Sequence, residues 1–423
     1  MMSIPYQAHS PSVRSLFSNR IVQSVLLSGL LLQMGIWIRN FAILLFVTEQ
    51  TNKDPVAIAL ISVAEFAPIF VFSFIGGTFA DRWRPKRTMI ICDLLSALSI
   101  FVVLLALVYG GWKAIFFATL VSSILSQFSQ PSGMKLFKLH VPESLMGMGM
   151  SMYQTMMSVF MVFGPILGTL IYFRFGIQVA IAIMGICFLL SAAALTLLPP
   201  DRKDRNSGQS SSVNISREMK LGIKYVTSKK IFMYMGAFFL AGGMGLGLIS
   251  PLGIFLVTEQ LGLSAESLQW FTSLNGIGMI LGGIIAMGLS KHVPPQKLLL
   301  TGFIANALAV SVLGTVPVLS IALAAQFLSG LMVPFIHIAC NTLILNQVEE
   351  AYVGRVNGIL NPLFMGGMVL NMSFVGVIKE QLPLGAIYLI ASGIFMIGVL
   401  AALPLAKMKL ERRIHAAGLH HHH

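Results

Sequence analysis

Gly76-Gly77-Thr78-Phe79-Ala80-Asp81-Arg82-Trp83-Arg84-Pro85-Lys86-Arg87 closes one apolar run and opens the next at Thr88. Four cations surround a single carboxylate in a segment too short to fold alone, so it reads as a loop between two membrane helices. Glycines 76 and 77 let a neighbouring helix approach closely. Asp81, at a helix end, can meet the positive amino terminus of another helix. Arg82, Arg84, Lys86 and Arg87 can pair with that acid, with other loops or with anionic membrane lipid. Such a set can hold one closed state and release it, which makes it a candidate gate; the plainer reading is that the cations only fix topology.

Outward from this loop, the chain of 423 residues is 56% hydrophobic and 10% charged. Soluble domains carry about a quarter charged residues, so the composition indicates a polytopic membrane protein. The net charge of +13 lies in short loops and tails, where it signals orientation rather than nucleic-acid binding. Cys92, Cys187 and Cys340 fall inside apolar runs without CxxC spacing and read as small core residues. His420 to His423 read as a tag remnant and are set aside.

Runs of spanning length, about 20 residues each, cover 21–48, 55–79, 88–109, 113–133, 146–173 and 177–199. Six more cover 231–257, 267–289, 298–316, 318–345, 355–378 and 382–406. The expected fold is an all-α membrane protein of twelve transmembrane helices in two pseudo-symmetric six-helix halves. The expected domains are an amino-terminal bundle 1–199, a cytoplasmic linker 200–230, a carboxy-terminal bundle 231–410 and a tail 411–423. Within the linker, Ser216 to Val226 has the pattern of a short amphipathic helix lying on the headgroups.

Lys53, Lys113, Arg174 and Lys379 alone fall in odd-numbered loops, and Arg39 lies within a span. The other cations occupy tails and even-numbered loops, which puts both termini and the opening loop in the cytoplasm of a cell membrane. The halves repeat: Val47-Thr48-Glu49-Gln50 ends span one and Val257-Thr258-Glu259-Gln260 ends span seven. Val141-Pro142-Glu143 and Val348-Glu349-Glu350 stand at equivalent places after spans four and ten. A parallel repeat of this kind predicts a functional cavity between halves near mid-bilayer.

Of the 15 acids, Glu65 in span two and Asp93 in span three lie clearly within the membrane, where an ionisable residue is expensive and marks function. Arg39 and Glu65 each lie ~14 Å from the outer ends of their spans at 1.5 Å per residue, so a facing Arg39/Glu65 pair is expected. Glu65 would exchange its proton for substrate or for the arginine contact, and a fixed structural ion pair is the alternative. Asp93 is read first as a brace for the loop and second as a proton carrier. Asn40, Tyr153, Gln154, Met157, His337, Asn341 and Asn361 complete the candidate substrate cavity with Arg39 and Glu65.

Span five carries Met146, Met148, Met150, Met152, Met156, Met157 and Met161, a flexible apolar surface suited to varied ligands. A copper(I) path is disfavoured, because alternating methionines do not share one helical face and no Cys or His joins them; no metal or cofactor is expected. The chain has no HExxH, no GxSxG and no P-loop, so an enzyme is not expected and energy must come from a gradient.

Gly77-x-x-Ala80-Asp81-Arg82-x-x-x-Lys86 resembles the signature loop between spans two and three of the major facilitator superfamily, and the six plus six organisation matches it throughout. Asp93, Val141-Pro142-Glu143, Gly164-Pro165-Ile166-Leu167-Gly168 and Gly354-Arg355-Val356 make it similar to the macrolide-efflux-like branch of the drug:proton antiporters. Arg84 and Pro85 replace the glycine and arginine of the general signature, Ser96 stands where this branch often has an arginine, and span four lacks the usual arginine-bearing motif. The resemblance implies a bacterial, monomeric exporter that exchanges a small-molecule substrate for protons. It further implies gating by Gly77, Asp81, Arg82, Arg84, Lys86, Gly164, Pro165, Gly168 and Arg355. The alternative is a carrier of one defined metabolite, such as a siderophore or lipid-like anion bound by Arg39.

Overall fold

The computed structural model describes the backbone of residues 20–140, 143–198, 215–349 and 352–407, with the side chains of 20–21, 73–82, 137–145, 215–219 and 407 outside that description. The apolar runs fold as α1 (Arg20–Gln50), α2 (Pro55–Arg82), α3 (Pro85–Val108), α4 (Ala114–His140) and α5 (Glu143–Thr196). After the linker helix α6 (Ile215–Ser228) come α7 (Lys230–Ile249), α8 (Leu268–Leu289), α9 (Pro295–Thr315), α10 (Leu319–Gln347), α11 (Val353–Gln381) and α12 (Leu384–Lys407). Proline opens α2, α3 and α9, at the position where its fixed φ suits a helix and its missing N–H costs nothing.

Among the described residues, ten helices are long and apolar enough to cross a membrane. The expected twelve spans are recovered once two of the helices are read closely. Met146–Thr196 runs 51 residues, about 77 Å if straight, against a hydrocarbon core of about 30 Å. Gly176 breaks it with φ 78° and ψ 176°. Beyond that break the chain has reversed, because Met146, Met148, Met150 and Met152 from its start pack in one cluster with Leu195 and Leu198 from its end. The helix α4 is not among the ten, since Ser122, Ser123, Ser126, Gln127, Ser129 and Gln130 lower its hydropathy.

The described residues form two compact units. One holds α1, α2 from Ala64 onward, and α3 to α5; the other holds residues 54–63 and α6 to α12. Within each unit the same neighbours recur: α1 packs on α5 as α7 packs on α11 and α12, and α3 packs on α4 and α5 as α9 packs on α10 and α12. The second unit is joined backbone to backbone. A Cβ added at Gly243 would lie 2.0 Å from the Phe364 carbonyl oxygen, and one at Gly282 would lie 2.1 Å from that of Leu331. Only glycine allows such an approach. Residues 54–63 belong to this unit because Gly376 lies against Pro55 and Val56.

The linker helix packs on α11. Its Gly222 sits on Arg355 and Ile359 of α11, and Tyr225 stacks on Tyr352 with ring centroids 4.3 Å apart. Glycine on the packing face lets the backbones close up, which an amphipathic pattern alone does not reveal.

Candidate functional site

Arg39 of α1 is 2% exposed. Its guanidinium donates to Asn40 Oδ1 through Nε at 2.9 Å and Nη2 at 2.6 Å. Asn40 Nδ2 in turn donates to Glu65 Oε1 of α2 at 2.7 Å. The acid and the cation thus share a level, as expected, but they are joined through an amide rather than in a direct pair. Asparagine can do this because it offers an acceptor on one side and a donor on the other. Arg39 Nη1 has no hydrogen-bond partner among the described residues, while Asn40 and Glu65 are partly exposed. The open face of the relay is therefore its carboxylate and amide, with the guanidinium beneath.

The glycine-proline motif of α5 presses on the same stretch of α1. A Cβ at Gly164 would fall 2.5 Å from Trp37, and one at Gly168 would fall 2.7 Å from Phe41. Gly164, Pro165 and Gly168 are all buried. Trp37 and Phe41 flank Arg39 and Asn40 in the chain, so this motif sets where the relay stands.

Asp93 of α3 is 2% exposed; the side chains of residues 73–82, on which the loop-brace reading bears, lie outside the described residues. Ser191 Oγ donates to Asp93 Oδ2 at 2.6 Å, and Ser28 Oγ lies 2.7 Å from Ser191 Oγ. Lys86 ties the loop side of α3 to the end of α5: its Nζ donates to the carbonyls of Thr196, at 3.1 Å, and Leu198. Cations at a helix carboxy terminus satisfy its orphan carbonyls and favour its dipole.

Asp93 faces a cavity of about 60 Å³ lined also by Gln33, Ser96, Ser122, Ser126 and Tyr153. An adjoining lobe of about 80 Å³ shares Gly29, Leu32, Ser129, Gln130 and Tyr153 with it and extends to Met89, Gly133 and Met150. Tyr153 thus reaches the interior of the first unit, whereas Gln154 is exposed and Met157 half-buried. In the second unit His337, Asn341 and Asn361 are exposed, and Arg355 lies over the Tyr352 ring at 4.9 Å. Arg84 is exposed. The side chains of Asp81 and Arg82, and the surroundings of Gly77, lie outside the described residues. Among the described residues no three His, Cys, Asp or Glu side chains group as metal ligands.

Sequence reasoning missed Ser28, Ser191 and the polar face of α4. Ser122, Ser126 and Ser129 stand at i, i+4 and i+7 on that helix, a signal available in the pattern. It also missed the helix ends: Tyr172 donates to Glu49 at 2.5 Å, and Lys379 pairs with Glu259 at 2.8 Å.

A sequence profile described as Major Facilitator Superfamily matches residues 25–257 and again 243–419. The chain belongs to the Major Facilitator Superfamily. The two matched stretches overlap and together run from residue 25 to residue 419, and this facilitator is accordingly a multi-pass membrane transporter. It is 27% identical over 374 residues to the uncharacterized MFS-type transporter YkuC of Bacillus subtilis, covering 86% of each chain. It is 22% identical to macrolide efflux protein A of Streptococcus pyogenes, covering 87% of this chain and 91% of that one. It is 23% identical to the enterobactin exporter EntS of Escherichia coli O1:K1 / APEC, covering 95% of this chain and 94% of that one. The crystal structure of the nucleoside transporter NupG superposes with a TM-score of 0.72 at 16% identity, covering 92% of this chain and all of that one. That last likeness speaks to the fold of the facilitator alone.

Proposed function

We propose that this facilitator exports amphiphilic organic compounds in exchange for protons by alternating access, as a monomer with both termini in the cytoplasm. The observation that carries the reading is the Glu65 carboxylate, held by Asn40 and partly exposed above a buried Arg39. A carboxylate at membrane depth that is braced on one side and open on the other can take either a proton or a substrate group, and mutual exclusion of the two is what couples exchange. Outward transport is favoured by the relatives, since macrolide efflux protein A and the enterobactin exporter are both named for export. Their substrates differ at nearly equal identity, so neither carries over to this chain. The half-buried methionines of α5, Met156 and Met157 among them, suit a surface that adapts to varied apolar shapes.

Proteoliposomes loaded with a pH-sensitive dye test the reading. Addition of erythromycin or ethidium is expected to drive proton movement that Glu65→Gln abolishes; undiminished coupling in that variant would sink the role of Glu65. A second reading, export of one defined anionic metabolite, is favoured by the buried Nη1 of Arg39, which has no hydrogen-bond partner among the described residues. It predicts movement of one anion that Arg39→Gln stops and Glu65→Gln leaves intact.

A further inference from the structure

The two membrane acids of the first unit stand in opposite surroundings. Glu65 has Arg39 as a counter-charge one amide away. Asp93 has one hydroxyl donor, Ser191, and no cation within its cavity among the described residues. The groups that face its cavity from α1, α3, α4 and α5 include two other titratable side chains, Cys92 and Tyr153, and neither is basic. Lys86, two turns away on the same helix, is turned to the carbonyls of Thr196 and Leu198. An ionised carboxylate without a counter-charge is costly at membrane depth, whereas a protonated one needs only hydrogen bonds. Ser191 donates to one of the two carboxylate oxygens, and Asp93 itself lines the cavity.

The size of the cavity decides its occupant. Ligand pockets for drug-sized molecules run to about 300–1,000 Å³, far above lobes of about 60 and 80 Å³. A water molecule needs only ~10–15 Å³ of such space together with two to four polar partners, and Gln33, Ser126, Ser129 and Gln130 supply them. The second lobe leads from Asp93 toward Met89, Gly133 and Met150. These lie where α1, α3 and α5 start and α4 ends, so the water path points to one face of the membrane.

We propose that Asp93 is a second proton-binding site, enclosed within the amino-terminal unit, served by water through the two-lobed cavity and separate from Glu65. This deepens the proton-coupled reading above and rests on it for its role in transport. Proton binding itself is measured without any substrate.

The test uses the full-length protein in lipid nanodiscs. Dicyclohexylcarbodiimide, an apolar reagent that adds to protonated buried carboxyls, is applied across a pH series, and adducts are located by peptide mass spectrometry. Labelling of Asp93 is expected at low pH and lost at high pH, equal in sodium and in choline buffer, and retained in Glu65→Gln. An infrared carboxylic-acid band should disappear in Asp93→Asn. Because that variant could fail to fold, Ser129→Val, which narrows the junction of the lobes and leaves Asp93 in place, should slow the response of that band to a pH jump severalfold. An Asp93 unlabelled at every pH, or protected by sodium as a sodium site would be, overturns the proposal; so does a Ser129→Val rate equal to wild type. If Asp93 labels as expected while erythromycin moves no protons, the transport reading fails and the site stands. If transport is proton-coupled while Asp93 never protonates, the transport reading stands and the site fails.

Discussion

The two VTEQ segments are identical in sequence and end differently in space. Val47 to Gln50 completes the regular helix α1, and Glu49 accepts the Tyr172 hydroxyl. Val257 to Gln260 lies in a single π-turn that follows a 3₁₀ turn at Ser250–Leu252, and Glu259 pairs with Lys379. Pro251 lacks the N–H that a continuous helix would need, so the end of α7 is rewound where α1 runs straight. The contrast extends through the units. The first keeps both membrane acids and a polar cavity; the second is closed by glycines on carbonyls. The same neighbours recur in both units, and both pack closely; the first does so mainly on side chains, with Gly164 and Gly168 against Trp37 and Phe41, whereas the second brings glycines onto backbone carbonyls.

The hardest blow to this contrast should come from Gly243→Ala. A methyl group 2.0 Å from the Phe364 carbonyl forces α7 and α11 apart, and overpacking of this kind costs about 1–3 kcal/mol or more. Thermal unfolding followed by size exclusion should show a large loss of the folded peak. In the first unit Gly29→Ala would meet only the flexible ends of Met156, at 3.1 Å, and Tyr153, and it should leave the profile nearly unchanged. Equal losses in both variants would mean that backbone contact at Gly243 is no less forgiving than side-chain contact at Gly29.

The relay gives the next effect. Asn40→Ala leaves the Arg39 guanidinium buried without an acceptor, and an unsatisfied buried polar group costs about 1–3 kcal/mol, more for a charged one. Chemical denaturation should show that loss, while Asn40→Asp, which keeps an acceptor for Arg39, should restore much of it. A neutral Asn40→Ala would mean that Arg39 finds Glu65 directly, as their matching depths in the sequence suggest.

That direct pair marks where legibility ends. Spans, halves and the loop at Asp81 follow from hydropathy and punctuation, because one residue's neighbours along the chain set them. Gly176 was legible as the gap between 146–173 and 177–199 although the helix assignment runs through it. The depth of Arg39 and Glu65 followed from counting residues, but an adjacent Asn40 intercepting the pair depends on side-chain reach across two helices. Asp93 stands near the loop in sequence and so reads as its brace; its bond from Ser191, and the contact of Ser191 with Ser28 163 residues away, form only after α5 reverses. The close backbone contacts of α7 with α11 were likewise hidden, since glycine is common in membrane helices whether or not a neighbour presses on it.

The smallest effect separates the two VTEQ ends. Lys379→Met removes a 2.8 Å ion pair to Glu259, whose side chain is 40% exposed; pairs open to solvent contribute about 0–1 kcal/mol. Tyr172→Phe removes a hydroxyl from Glu49 where Tyr172 is 8% exposed, at a cost of about 1 kcal/mol. Added salt should shrink the first difference, because screening acts on the exposed charges, and should leave the second in place. A Lys379→Met penalty that is larger than that of Tyr172→Phe and indifferent to salt would show that the rewound end of α7 is held by its ion pair. The backbone, through Pro251 and the Gln260 side chain on the Leu313 carbonyl at 2.7 Å, would then be following that pair rather than fixing it.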